Sequence, residues 1–208
     1  MAKQPIQTYF VTGIGTDVGK TVASAILVDA LKADYFKLIQ AGDEEQDRNT
    51  VKSLIRSDAE IFPAGVLLKA PMSPHAAADL ENKYIKSEDL KLPKTTKSLI
   101  IEGAGGLMVP INDTETLLDW LKTQKNLEVI VVSKNYLGSI NHSLLTLEVL
   151  HYHNIKIKGI IFNGEPNQAS EHRILDQFGD HYLGRILPEK ELNSSALKPY
   201  VEYFKKQF

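Results

Sequence analysis

The chain has no cysteine among its 208 residues. That excludes disulfides, thiolate metal ligands and a thiol nucleophile, and it suits a cytosolic protein. An excess of one charge is also lacking: 24 Lys and Arg face 26 Asp and Glu, for a net charge of −2. Such a balance leaves no electrostatic footprint for nucleic acid or an anionic membrane. Hydrophobic runs are short. None approaches the roughly 18 apolar residues of a membrane span, and residues 1–7 hold no apolar run, so no secretory leader is expected. Arginine is confined to Arg48, Arg56, Arg173 and Arg185, too scattered for the arginine-rich lid of a small-molecule kinase. Neither Gly-x-Ser-x-Gly nor His-Glu-x-x-His occurs, so serine-hydrolase and zinc-peptidase readings have no support. His151 and His153 stand two apart at a predicted helix end and do not share a face.

What is present is an α/β pattern. Short apolar runs at Tyr9–Thr12, Tyr35–Ile39, Val66–Leu68, Leu99–Glu102, Val129–Ser133, Lys158–Asn163 and Tyr182–Ile186 read as strands. Several are apolar on both faces, as strands of a parallel sheet covered by helices are. Helical periodicity lies between them at Lys20–Lys32, Asp47–Ile55, Thr116–Lys122, Ser139–His153, Ser170–Phe178 and Ser195–Lys205. The alternation predicts one domain over residues 1–208. Its mostly parallel sheet, of about seven strands, is flanked by helices on both faces. Residues 41–46 and 81–96 read as polar loops. Ligands of such sheets bind beyond the carboxyl ends of the strands, so the residues just after each strand should converge.

The first of these junctions carries the strongest signal. Gly13-Ile14-Gly15-Thr16-Asp17-Val18-Gly19-Lys20-Thr21 joins a strand to a helix. A loop so placed aims backbone N–H groups and a helix dipole at a polyphosphate, with Lys20 reaching the terminal phosphates and the Thr21 hydroxyl ligating Mg²⁺. Standard spacing would put the first glycine at position 14, which is isoleucine; the glycines are Gly13 and Gly15. Glu102 closes an apolar strand and leads into Gly103-Ala104-Gly105-Gly106, a place for a carboxylate that holds Mg²⁺ beside a backbone that a phosphate can approach. Lys37, in an otherwise apolar strand, needs an anionic partner or a route to water. Asp47 reads equally as a helix cap or a metal ligand. Asn163 offers the donor and acceptor that match an adenine edge, or simply a turn before Gly164.

In order along the chain, Tyr9–Gly13, Thr16–Ser24, Tyr35-Phe36-Lys37, Ser73-Pro74-His75, Glu102–Gly106, Asp119-Trp120, Leu137–His142, Gly159–Asn163 and Leu183-Gly184 resemble the dethiobiotin synthetases. That family of phosphate-loop (P-loop) NTPase fold also carries its first loop glycine six residues before the last. The resemblance implies a cytoplasmic homodimer that binds neither nucleic acid nor membrane and turns 7,8-diaminononanoate, CO₂ (or bicarbonate) and ATP into dethiobiotin. On that pattern Lys20 and Lys37 are catalytic. Thr21, Asp47 and Glu102 hold Mg²⁺. Thr16 to Thr21, Asp47, Glu102 to Gly105, Asn163, Gly164 and Pro188 bind ATP. Lys37, Ala41, Gly138, Ser139 and Asn141 meet the diamine, with Asn141 supplied across the dimer. The family commonly has a serine where Ala41 stands. An alternative on the same fold is a partitioning-type ATPase switch, whose extra loop lysine is replaced here by Gly15.

Overall fold

The computed structural model describes residues 6–42 and 46–208. Residues 43–45 of the expected polar stretch 41–46, and most of the N-terminal segment 1–7, therefore lie outside the described residues. In chain order the elements are β1 (Thr8–Gly13), α1 (Lys20–Leu31), β2 (Asp34–Lys37), β3 (Ile39–Ala41), α2 (Gln46–Leu54), β4 (Val66–Leu68) and α3 (Pro74–Leu80). Then come β5 (Leu99–Glu102), α4 (Leu117–Lys122), β6 (Leu127–Lys134), α5 (Ser139–Tyr152), β7 (Ile157–Asn163), α6 (Gln168–Phe178), β8 (Tyr182–Ile186) and α7 (Ser194–Phe204). Six strands form one parallel sheet in the order β2-β5-β1-β6-β7-β8.

Phe10 and Val11 of β1, Ile100 and Ile101 of β5, and Val129 to Val132 of β6 are fully buried. With both faces of the sheet covered, alternation disappears from these strands, and a run of consecutive apolar residues is what the burial requires. Helix α1 is buried along Ala23 to Val28 and again at Ala30. Its small alanines let it lie close to the sheet, against β5 and β1. Trp120 of α4 is fully buried against Phe10, with ring centroids 5.4 Å apart, and its indole N–H donates to the Leu90 carbonyl at 3.0 Å. That bond ties the long polar stretch 81–96 to the body of the protein.

Two sequence expectations change. The strand expected over Tyr35–Ile39 is broken: β2 ends at Lys37, and β3 turns away to pair in parallel with β4 as a separate two-stranded sheet. The main sheet thus has six strands, where about seven were expected. The cause is the end of β5. Leu38 N–H donates to Glu102 O at 2.9 Å, and beyond Glu102 the neighbour turns into glycines, so Leu38 O takes Val66 N–H at 3.1 Å instead. The second change is α3, which begins at Pro74 in a stretch where no helix was expected. Proline at the first helical position loses no intrahelical bond, which is why it can start the helix.

Candidate active site

The strand order places β1 between β5 and β6, and the chain crosses over β5 to reach β2. The crevice outside the carboxyl ends of β1, β2 and β5 is a cleft of about 780 Å³. Its walls include Thr16, Asp17, Gly19, Lys20, Thr21, Lys37, Ala41, Asp47, Glu102, Ala104 and Gly105, all expected from the sequence to act together.

The loop between β1 and α1 is compact because Gly13 and Gly19 leave no room for a side chain. A Cβ on Gly13 would press on Val18 Cγ2 at 2.5 Å and on Gly15 O at 2.7 Å. Gly19 takes a left-handed φ of 94°, and a side chain there would collide with the Asn163 carboxamide. Ile14 explains the irregular spacing: it is buried, and its N–H extends the sheet by donating to Val132 O at 3.1 Å. The position is used for packing, so an isoleucine serves better than a glycine. Helix α1 starts without a side-chain cap and with no acidic residue in its first turn, leaving its free N–H groups and positive end for an anion.

Lys20 is 7% exposed and donates from Nζ to Gly15 O at 2.9 Å. Burial, then the nearby Lys37 ammonium, brings its pKa down to about 8, although Glu102 and Asp47 pull the other way. Lys37 and Glu102 are register partners across β2 and β5. Lys37 Nζ lies 2.8 Å from Glu102 Oε1 and 2.6 Å from Asp47 Oδ2, and it also donates to Gly103 O at 3.1 Å. Burial pushes the Lys37 ammonium toward neutrality, but the two carboxylates outweigh it and hold the pKa above the ordinary lysine value.

The Thr21 hydroxyl lies 3.2 Å from Asp47 Oδ1 and 3.0 Å from Glu102 Oε1. Two carboxylates and one hydroxyl are a hard-oxygen set. They fit Mg²⁺, which keeps much of its water and takes phosphate oxygens for the rest. Among the described residues, no three His, Cys, Asp or Glu side chains gather into a protein-only metal cage. Tyr35 completes the group by donating to Glu102 Oε2 at 2.8 Å. Burial, then the Glu102 charge, lifts its phenol well above the usual range. Sequence reasoning missed Tyr35, although period two along a strand puts it on the face of Lys37.

The remaining expected residues lie around this centre. Val18 is buried, and its carbonyl accepts from Asn163 Nδ2 at 2.9 Å, so the end of β7 braces the phosphate loop. Gly164 follows with a φ of 105°, and Pro188 is exposed just beyond β8. Gly138, Ser139 and Asn141 do not line the cleft; they stand at the start of α5, where Ser139 N–H bonds Tyr136 O at 3.0 Å. Gln40, Pro71, Met72 and Val109 line it without having been singled out. Val109 is shared with a second, apolar hollow of about 370 Å³, bounded by Ile14, Gly15, Met108, His142 and Leu145.

A family model described as an AAA domain matches residues 7–196. The ATP-dependent dethiobiotin synthetase BioD of Cytophaga hutchinsonii is 48% identical over 197 residues, covering 94% of this chain and 95% of its own. That of Christiangramia forsetii is 47% identical over 203 residues, 97% of each. Among solved structures, a ParA family ATPase from Chlorobium tepidum matches with a TM-score of 0.59 at 14% identity, covering 96% of this chain and 99% of its own. The septum site-determining protein MinD from Pyrococcus horikoshii, complexed with Mg-ADP, has the same TM-score and identity over 98% of this chain and 94% of its own. At that identity the likeness speaks for the P-loop NTPase fold alone. With close relatives matching from end to end and the phosphate loop, Lys37 and Glu102 in one cleft, the chain belongs to the dethiobiotin synthetase family.

Proposed function

We propose that residues 1–208 act as one ATP-binding domain that closes the ureido ring of dethiobiotin from 7,8-diaminononanoate, CO₂ and ATP. The observation that carries this reading is the Lys37 ammonium, held between Asp47 and Glu102 on the floor of the phosphate-loop cleft. One amine of the substrate adds to CO₂, and a carbamate forms as a proton is released. A carbamate oxygen then attacks the γ-phosphorus, ADP leaves, and a carbamic-phosphoric anhydride results. The second amine attacks the carbamoyl carbon; inorganic phosphate departs and the ring is closed.

Little covalent work falls to the protein in such a phosphoryl transfer, which depends on positioning and charge. Lys20 faces the terminal phosphate and the carbamate, and the free N–H groups at the start of α1 hold the phosphate oxygens. Lys37 stabilises the carbamate and the moving phosphoryl. Thr21, Asp47 and Glu102 would hold Mg²⁺, whose bound form supplies charge neutralisation to the triphosphate. Asn163 reads the adenine, with Gly164 and Pro188 beside it. The apolar hollow that shares Val109 with the cleft suits the substrate's aliphatic chain. Fully exposed Leu137, with exposed Tyr136, Met108 and Leu145, supports a homodimer in which the partner covers this face and supplies its own copy of Asn141. Gly138 and Ser139 then meet the substrate carboxylate. No helix among the described residues is long and apolar enough to cross a membrane, and we place the enzyme in the cytoplasm.

The test is direct. Pure protein with diaminononanoate, bicarbonate, Mg²⁺ and ATP should give dethiobiotin and ADP in equal amounts, and a chelator of Mg²⁺ should stop both. Absence of dethiobiotin at every substrate and nucleotide concentration would sink the proposal.

A further inference from the structure

At the other end of the sheet, β7 and β8 finish side by side with Asn163 opposite Ile186. The turn that follows Asn163 is held from several directions. Gly164 N–H donates to Ile186 O at 2.8 Å. Gly164 O accepts from Arg185 Nη1 at 2.9 Å. Glu165 O accepts from Asn135 Nδ2 at 3.0 Å, and Asn167 N–H donates to Glu171 Oε1 at 2.9 Å.

Glu171 and Arg185 are the centre of this arrangement. They form an ion pair through Glu171 Oε2 and Arg185 Nη2, with side chains only 12% and 17% exposed. Glu171 Oε1 also accepts from Asn135 Nδ2 at 2.6 Å, while the Arg185 guanidinium lies 5.6 Å from the centre of the Phe162 ring. Three strand ends and the first turn of α6 are thus joined by one carboxylate and one guanidinium. Removing two charges from water is costly, and a solvent-exposed turn does not need it. What the pair supplies is a single geometry. Arginine's planar fork can meet a carboxylate and a carbonyl at once, which a flexible ammonium does less well.

The fixed turn begins at Asn163, whose carboxamide already braces the phosphate loop through Val18 O. We propose that Glu171 and Arg185 are positioning residues for the nucleotide base, locking the Asn163–Gly164 turn and so setting both ATP affinity and the preference for adenine. This rests on the reading of Asn163 as the base-reading residue. Neither side chain lines the phosphate-loop cleft; the pair acts through the turn.

The experiment is steady-state kinetics of dethiobiotin formation by the full chain, with ATP and with GTP, alongside inhibition by inorganic tripolyphosphate. For Arg185→Ala we expect KM for ATP to rise roughly tenfold, the loss that follows when a charge-assisted hydrogen bond goes. The ATP-over-GTP preference should narrow, while kcat at saturating ATP and the tripolyphosphate inhibition constant stay within about twofold. Arg185→Lys should recover part of the KM loss. If Arg185→Ala does not fold, Glu171→Gln, an isostere without the charge, and Arg185→Lys decide the matter on the same measurements. Unchanged KM and selectivity would overturn the proposal. So would a parallel decline of kcat, tripolyphosphate binding and thermal midpoint, which would mark a merely structural staple. Asn163→Ala separates the two readings. If it leaves the ATP-over-GTP preference intact, the base-reading role of Asn163 fails; if it abolishes the preference while Arg185→Ala does not alter it, only the positioning role fails.

Discussion

Asp34 and Lys37 stand at opposite ends of β2, both charged and both buried, yet the two ends are built for different purposes. Around Asp34 the protein supplies every partner itself: Glu60 N–H at 2.8 Å, the Thr95 hydroxyl at 2.6 Å and, at 3.4 Å, the ammonium of a half-buried Lys97. Asp34 lines none of the cleft. It pins the segments on either side of the strand's start. Around Lys37 the two carboxylates and the ammonium form part of the wall of a large cavity. On the proposed function, their partners are exchanged for phosphate oxygens and a metal ion. A closed cluster fixes a fold, whereas one with its charges facing a cavity is arranged for chemistry. The same strand carries both because ligands of parallel sheets bind only at the carboxyl end.

Substitutions can test that contrast. The largest effect should come from Lys37→Ala, with kcat for dethiobiotin falling about 10²- to 10³-fold, as for loss of one preorganised charge stabiliser. Nucleotide binding, measured by calorimetry with ADP, should be largely retained. Glu102 would be left buried without its cation, a change that costs about 3 kcal/mol in comparable buried pairs. Mg²⁺ should then restore part of the melting temperature by replacing the missing positive charge. Full activity in this variant would remove Lys37 from the mechanism.

Asp34→Ala should do the reverse. Losing its hydrogen bonds should lower stability by about 2 kcal/mol in urea titrations, with kcat per folded molecule unchanged. A drop in kcat without a change in stability would erase the distinction between the ends of β2. The smallest effect belongs to a solvent-facing carboxylate. Asp119 accepts the Thr116 N–H at 2.8 Å and pairs with Lys122 at 2.6 Å. The Lys122 hydrogen bond, then the Thr116 bonds, bring its pKa down to about 2 against opposing desolvation. The folded-state pKa lies below the unfolded one, so its contribution is complete above the ordinary aspartate value and is lost as pH falls through about 2. Asp119→Ala should cost roughly 0.5 kcal/mol at neutral pH, as one exposed end of a capped helix, with a smaller difference from the parent at acid pH. An undiminished difference at pH 2 would show that the charge is not responsible.

The phosphate loop was legible because its signal is local: glycines, a lysine and a threonine between a strand and a helix. Glu102 and Lys37 were legible as polar residues ending apolar strands. The break at Leu38 was not, because whether Leu38 continues the main sheet depends on where β5 ends, some sixty residues away. Helix α3 was hidden by the same proline that starts it. The Glu171–Arg185 pair left no mark in the pattern either, since the residues it joins lie at the ends of β6 and β7, on β8 and on α6, and only strand order brings them together.

By itself the sequence determined the α/β alternation, the phosphate loop and the residue types that could carry phosphoryl chemistry, because hydrophobic period and loop chemistry are properties of neighbouring residues. The tertiary structure alone decided which charges share a cleft and which close on themselves. It put Lys37 between Asp47 and Glu102, Tyr35 behind them and Asn163 against the phosphate loop. The physical reason is that a buried charge is stable only beside partners that the fold delivers from far along the chain, and no local pattern records that delivery.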